Sequence, residues 1–388
     1  MARSAAKFSV HLDAMRALAA TTVFAGHARV LFIGSILGAV GVGANAHTSL
    51  AVGRRANEQT NPGHLAVIVF FVLSGYLVGG GTLRAWQRNV WTWREYAIQR
   101  MSRLWVVLIP ALVLTVSIDR LGISLFGFSG IYGGPTGQDS IAPNILSRLD
   151  AKTFFGCLFF VQDILTKTLG SDSPLWTLSY EFWFYIAFPL FLGAATRRYS
   201  LRWRLGSAAL LIATGMFAGP KIAAYYLIWL LGASLQLIPK RLSLRTAQRL
   251  TVPVLISFLA ISLLLITLQL RLFVSDAIAA IACWALCYVL LHDTTAAGDG
   301  IYTRLSKRLS DMSYTVYLGH MPLLTFICAA LMTQWVPWKL NVIHLVYFAL
   351  ILTATFLVLY LLYWCFEHRT ESVRKALHSV FAGQTVQT

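Results

Sequence analysis

The sequence predicts an all-α polytopic integral membrane protein of about ten transmembrane helices, with both termini cytoplasmic. Three observations predict it. First, 57% of the 388 residues are hydrophobic and only 12% are charged, against about 45–50% and about 25% in soluble proteins. So few charges cannot cover a soluble chain of this length. Second, apolar runs near the roughly 20 residues needed to cross hydrocarbon recur along the whole chain. Third, the basic residues alternate. With the amino terminus inside, 21 Lys and Arg fall on inner segments and nine on outer ones, with Arg16 and Arg29 inside the first span. That asymmetry is the one that orients membrane helices.

The ten runs follow in order. Arg3 and Lys7 precede run 14–40, but Asp13 and Arg16 interrupt its start and it continues to about Val40, a length that stays in the membrane rather than being cleaved as a leader. Run 65–81 follows Pro62-Gly63, and run 104–118 lies between Arg103 and Asp119. Run 175–194 ends before Arg197-Arg198. Runs 205–218 and 223–238 leave a short outer segment with Lys221 between them. Runs 252–270, 276–291, 313–333 and 342–366 complete the set. The chain reads as one integral membrane domain over 1–388, with outer segments 41–64 and 119–174 and a cytoplasmic tail 367–388. Segment 119–174 carries five Asp. Its apolar stretch 154–161 is too short to cross; it reads either as a loop helix on the bundle or as a re-entrant segment buried by protein.

Composition also excludes several functions. A soluble enzyme, a disordered chain and a disulfide-stapled secreted module are ruled out. The net charge of +17 would suggest nucleic acid in a soluble protein; in a lipid-embedded chain it reflects cytoplasmic Lys and Arg, and no nucleic-acid partner is expected. Cys283, Cys287, Cys328 and Cys365 lie in apolar runs and Cys157 beside another, so they read as small packing residues. No metal-ligand pattern is present.

Ionisable residues inside apolar spans are costly and mark candidate function. Arg16 and His27 are eleven residues apart, which puts them on one helix face about 16 Å apart. A cation near the inner mouth and a titratable base near mid-membrane suit an anionic ligand entering from the cytoplasm. As structural residues, Arg16 would snorkel and His27 would pack. Phe70-Phe71-Val72-Leu73-Ser74-Gly75-Tyr76 supplies a small pair for close helix approach, and Ser74 is also a hydroxyl that could line a cavity. Arg100 and Arg103 share a face and suit phosphates; orientation-setting charge explains them equally well. Glu181, in Leu175-Trp176-Thr177-Leu178-Ser179-Tyr180-Glu181, lies several residues inside the outer surface. It would act as an acid, orient a histidine or accept a sugar hydroxyl. Ser313, Tyr317 and His320 repeat at helical spacing as one polar stripe. His344 reads as a packed residue.

Together these elements resemble the acyltransferase-3 family of membrane acyltransferases, from about residue 11 to about 370. Asp13-Ala14-Met15-Arg16-Ala17-Leu18-Ala19 with His27 resembles the family's opening motif and its Arg-x10-His signature. Phe70 to Tyr76, Arg100 to Arg103, Leu175 to Glu181 and Tyr317-Leu318-Gly319-His320-Met321-Pro322 resemble four further elements in the family's order. The resemblance implies transfer of an acyl group, commonly acetyl, from cytoplasmic acyl-CoA as donor substrate, with no permanently bound cofactor. The acceptor it implies is a hydroxyl of a glycan or glycolipid at the outer face. His27 is then the expected catalytic residue, with Glu181 beside it in the reaction. Arg16, Arg100, Arg103 and Ser74 would serve acyl-CoA, and Tyr317 and His320 the substrate. His368-Arg369 follows Glu367 where relatives often have a proline, so no role is carried onto Glu367. No SGNH-type domain follows the tenth run, which leads us to expect a member working without a fused second transferase.

The physical logic agrees. Coenzyme A is polyanionic and needs a basic mouth, while its thin thioester arm can pass between helices toward His27. The imidazole would take the acceptor's proton or take the acyl group itself; the sequence leaves both open. The expected setting is the lipid bilayer, as a multi-pass protein of a bacterial inner membrane. The rival reading is a secondary transporter of a carbohydrate or organic anion, with spans and buried charges of the same kind.

Overall fold

The computed structural model describes residues 10–33, 62–128, 130–133, 141–239, 241–268, 272–293 and 300–383. Most of the expected outer segment 41–64, with Arg54 and Arg55, lies outside the described residues, as do part of 119–174 and the end of the tail 367–388. Among the described residues the chain is helical, with two isolated bridges, Ile33 to Trp338 and Gln162 to Thr166.

Eight helices among the described residues are long and apolar enough to cross a membrane. Two differences separate them from the ten expected runs. The first helix, Val10–Phe32, carries Asp13, Arg16, His27 and Arg29 and is not among the eight. The fifth and sixth runs fall in one stretch, Leu201–Ser234, broken at Gly219, where φ is +87° and ψ 167°. Only glycine takes that conformation readily, and Pro220 behind it cannot donate a helical hydrogen bond. The third helix is much longer than its apolar run: Trp93–Phe126 has 34 residues. Its polar first turns contain no breaker, so the helix begins well before lipid-type composition does and takes in Arg100, Arg103 and Asp119.

The chain gathers into two compact units. Unit 1 takes the chain up to Ala19, then Leu65–Tyr96 and Thr177–Ser310. Unit 2 takes Ala20–His64, Ala97–Trp176 and the chain from Asp311 onward.

Unit 1 is built around an approach between two helices. Pro62–Ser74 runs into a π-helical turn, Gly75–Gly79, and continues as Gly80–Gln87. A Cβ on Gly75 would stand 2.0 Å from the Trp229 carbonyl oxygen, and one on Gly232 would stand 2.0 Å from that of Val72. The two backbones therefore touch without side chains between them, the packing small residues permit in membranes. Trp229, fully buried, donates its indole N–H to Ser74 Oγ at 3.1 Å. The Tyr185 hydroxyl stands 3.3 Å from the same oxygen, and Tyr96 donates to the Tyr185 carbonyl at 2.9 Å.

Unit 2 holds the helices Ser313–Leu331 and Val342–Cys365 and the polar segment that follows Trp93–Phe126. Asp119 is fully buried and accepts from the Ser171 N–H at 2.7 Å and its hydroxyl at 2.8 Å. This pins the turn that leads into the Leu175-Trp176-Thr177 element. Gly170, at φ +52°, is required there: a Cβ would lie 2.2 Å from Asp119 Oδ2. Asp172 is buried beside this carboxylate, and both burial and the Asp119 charge push its carboxyl well above the usual range. The short apolar stretch forms an eight-residue helix, Ala151–Leu158, capped by Asp150, whose oxygens accept from Thr153 N–H and hydroxyl. Trp105 donates to its last carbonyl, Leu158, at 3.0 Å.

The glycine contact makes a prediction. Gly75→Ala forces the backbone of Trp229 aside and should lower stability by roughly 1–3 kcal/mol. Gly206→Ala, with nothing within 4 Å of the added carbon, should melt no lower than the parent. Thermal unfolding of both variants in the same detergent checks it; equal midpoints would refute the close approach.

Candidate functional site

The sequence-predicted residues divide between the units. His27, Arg100, Arg103, Tyr317 and His320 belong to unit 2; Arg16, Ser74 and Glu181 belong to unit 1.

In unit 2 the structure joins two motifs that lie far apart in the chain. His27 Nδ1 stands 2.9 Å from His320 Nε2, across 293 residues. The rings are 18° from coplanar with centroids 5.1 Å apart. A linear, in-plane hydrogen bond between two imidazoles sets their centroids about 5 Å apart, so the proton lies along the lone-pair direction. His320 is fully buried, His27 half-buried. The edge of Phe24 and the ring of Tyr317 flank His320, at 6.0 and 6.3 Å between centroids. The His320 Nδ1 is 2.9 Å from the Val316 carbonyl one turn back. Tyr317 donates its hydroxyl to the Pro174 carbonyl at 3.3 Å, which ties this helix to the start of the Leu175-Trp176-Thr177 element.

The same helix is anchored at its start by a residue with no expected role, Glu367. Glu367 Oε2 accepts from the Thr315 N–H at 2.9 Å and from its hydroxyl at 2.7 Å. A carboxylate at a helix N-terminus satisfies an orphan donor and meets the positive end of the helix dipole. Its other oxygen, Oε1, stands 3.5 Å from Arg103 Nη1. Glu367 is 3% exposed and Arg103 38%, so the carboxylate is the buried partner. Arg103 also lies over the Tyr314 ring, 5.6 Å from its centroid. Arg100, one turn earlier, reaches Gln99 at 3.4 Å. The sequence signal for Glu367 was an acid directly after an apolar run; nothing local pointed to a helix start 52 residues away.

In unit 1, Arg16 donates through Nη2 to the Ser310 carbonyl at 2.8 Å, and the Ser310 hydroxyl donates to Asp13 at 3.1 Å. Ser310 sits in the last turn of the helix Ile301–Asp311, so the guanidinium meets the negative end of that helix. Ser74 lies between Trp229 and Tyr185, as described. Glu181 is half-buried on the helix Trp176–Ala195. His344, read as packed, donates Nδ1–H to the Lys339 carbonyl at 2.7 Å and stacks on Trp338.

Removing the Glu367 carboxylate tests this anchor. Glu367→Ala leaves the Thr315 donors and Arg103 without their acceptor, and should cost about 1.5–3 kcal/mol, the range for hydrogen bonds to a charged group. Arg103→Ala should cost less, because its own side chain is partly solvated. Chemical unfolding in detergent compares them; an equal loss would show that the ion pair, not the helix start, dominates.

Comparison with known proteins adds the family. The family model described as an acyltransferase domain, Acyl_transf_3, matches residues 10–364. A curated relative, "Putative peptidoglycan O-acetyltransferase YrhL" of Bacillus subtilis (strain 168), is 28% identical over 156 residues. That alignment covers 39% of this chain and 23% of the relative, so the chain matches under a quarter of that protein's length. No solved structure matches the chain. With nearly its whole length matched and its apolar helices in place, the chain belongs to the acyltransferase-3 family of multi-pass membrane proteins.

Proposed function

We propose that the protein transfers an acyl group, most simply acetyl, from acyl-CoA to a hydroxyl of a glycan, with His27 as the catalytic residue. The observation that carries this reading is the hydrogen-bonded imidazole pair His27–His320, joining two apolar helices of unit 2. An enzyme family label alone does not say where the chemistry occurs. A half-buried imidazole held by a fully buried one is a group poised to exchange a proton, at the position where the family's signature histidine falls.

As a base, His27 removes the acceptor's hydroxyl proton while the hydroxyl oxygen bonds to the acyl carbon. The carbon–sulfur bond breaks, and the proton passes from the imidazole to the departing thiolate. The products are the ester and free coenzyme A. In the covalent variant His27 first takes the acyl group and then yields it to the hydroxyl.

Donor binding falls to Arg100 and Arg103, two guanidiniums one turn apart in the first turns of Trp93–Phe126. They suit the phosphates of coenzyme A, and Arg103's side chain is 38% exposed. Arg16, on the helix that also carries His27, would add to the inner basic mouth, and Ser74 a hydroxyl to the acyl-CoA path. Tyr317 would serve the acceptor, and Glu181 would orient it. A glycan acceptor is supported by the name of the Bacillus relative. The excess of basic residues on alternate segments supports cytoplasmic termini and a donor that enters from the cytoplasm, as in a bacterial inner membrane. The family assignment favours this reading over a transporter.

Two outcomes test the proposal in purified, lipid-reconstituted protein. His27→Ala should abolish acetyl-CoA-dependent transfer, a loss of about 10²–10⁴-fold for removal of a general base, while the protein still elutes as a folded species. Near-normal thiol release from that variant would remove His27 from the chemistry. Arg100→Ala and Arg103→Ala should each raise the KM for acetyl-CoA by about tenfold, the worth of one charge-assisted contact, with the acceptor KM less affected. Equal weakening of both substrates would make the arginines structural.

A further inference from the structure

The hydrogen bonds of the histidine pair determine which nitrogen carries which proton. A backbone carbonyl only accepts. His320 Nδ1, at 2.9 Å from the Val316 carbonyl, therefore carries a hydrogen. A neutral His320 then has its lone pair on Nε2, and the His27 Nδ1 that stands 2.9 Å away must be the donor. His27 is left with its lone pair on Nε2. The reversed direction would require a doubly protonated His320. That ring is fully buried, edged by Phe24 and Tyr317. Among the described residues no carboxylate pairs with either ring, and a buried, unpaired cation is strongly disfavoured.

We propose that His320 is a positioning residue rather than a substrate-binding one: it fixes His27 as the Nδ1–H tautomer and presents His27 Nε2 as the working nitrogen. This rests on His27 as the catalytic residue. A chain of three groups runs from the Val316 carbonyl through His320 to His27, each donating to the one behind it. It has the logic of a carboxylate orienting a catalytic imidazole, with a neutral imidazole where the carboxylate would stand. A neutral orienter suits a site with little water, since it adds no buried charge. Both routes open to His27 need this arrangement. As a base, Nε2 accepts the hydroxyl proton, and the imidazolium that forms strengthens its Nδ1–H bond to His320. As a nucleophile, Nε2 bonds to the acyl carbon while the thiolate leaves, and Nδ1–H again stays with His320.

The test combines ring-nitrogen spectroscopy with kinetics on the full chain in lipid nanodiscs. In protein labelled with 15N-histidine, solid-state NMR should show His27, assigned by the loss of its signals in His27→Gln, with Nδ1 protonated and Nε2 bare. His320→Phe keeps the ring shape but removes the acceptor. It should shift His27 toward the other tautomer and lower kcat on the order of 10²-fold, with the KM for acetyl-CoA little changed. His320→Gln can place an amide oxygen where Nε2 stood and should restore both the tautomer and most of kcat. A wild-type His27 with its proton on Nε2 overturns the proposal without any variant. So does a His320→Phe protein with unchanged kcat and unchanged His27 signals. If His27→Ala keeps its activity, the catalytic reading fails, whatever the spectra show. If His27→Ala is dead while His320→Phe is indifferent, that reading stands and the positioning role falls.

Discussion

A polar atom inside a helical bundle set in hydrocarbon has no water to turn to, and the rest of this structure follows from that constraint. Each polar side chain buried within a unit needs a donor or acceptor drawn from another part of the chain. Glu367 finds the start of Ser313–Leu331, Ser74 finds Trp229, and Asp119 finds Ser171. These bonds are few, and each links segments distant in sequence. They act as the registration marks of a fold whose apolar surfaces would otherwise pack in many ways. The helix that carries His320 is fixed at its start by Glu367 and in its second turn by Tyr317. The imidazole is thereby held at both of its nitrogens before any substrate is considered.

The second constraint is distance. Hydrophobic driving force does not separate one helix face from another when lipid is as apolar as leucine. Gly75 and Gly232 resolve this in unit 1 by letting two backbones meet, while Trp229 fills the volume alongside and spends its one donor on Ser74. Ser74 stands out in the sequence for its hydroxyl and its small neighbour, Gly75. The neighbour's part is plain in the packing, and the hydroxyl is bound to two aromatic side chains of the same unit.

Much of the helical scaffold was legible because it depends on composition over short windows. The last two expected runs, 313–333 and 342–366, agree with Ser313–Leu331 and Val342–Cys365 to within two residues at either end. The gap between runs 205–218 and 223–238 holds the break, at Gly219. The length of Trp93–Phe126 was not readable, since an apolar-run criterion stops at Arg103 and Asp119 while the helix passes through both. The site was half legible. His27 and His320 each stood out as ionisable groups in apolar helices, but 293 residues separate them, and no periodicity within either helix reports a contact between the two. Glu367 was invisible for the same reason: its partners, Thr315 and Arg103, are set by tertiary packing alone.

The π-helical turn at Gly75–Gly79 gives its helix one residue more than an α-helix needs to cover the same rise, as the Gly80 N–H pointing back to the Gly75 carbonyl shows. Elsewhere in the chain, an insertion or deletion of one residue inside a helix would swing everything beyond it by about 100°. Here the extra residue is already absorbed in a widened turn. Loss of one residue from this turn would restore a regular α-helix with Phe71 before it and Trp86 after it on their present faces. The second apolar helix is therefore a place where chain length can drift by one residue over evolutionary time without re-aiming the side chains on either side. The contact with Trp229, rather than the helix itself, sets the limit on that drift.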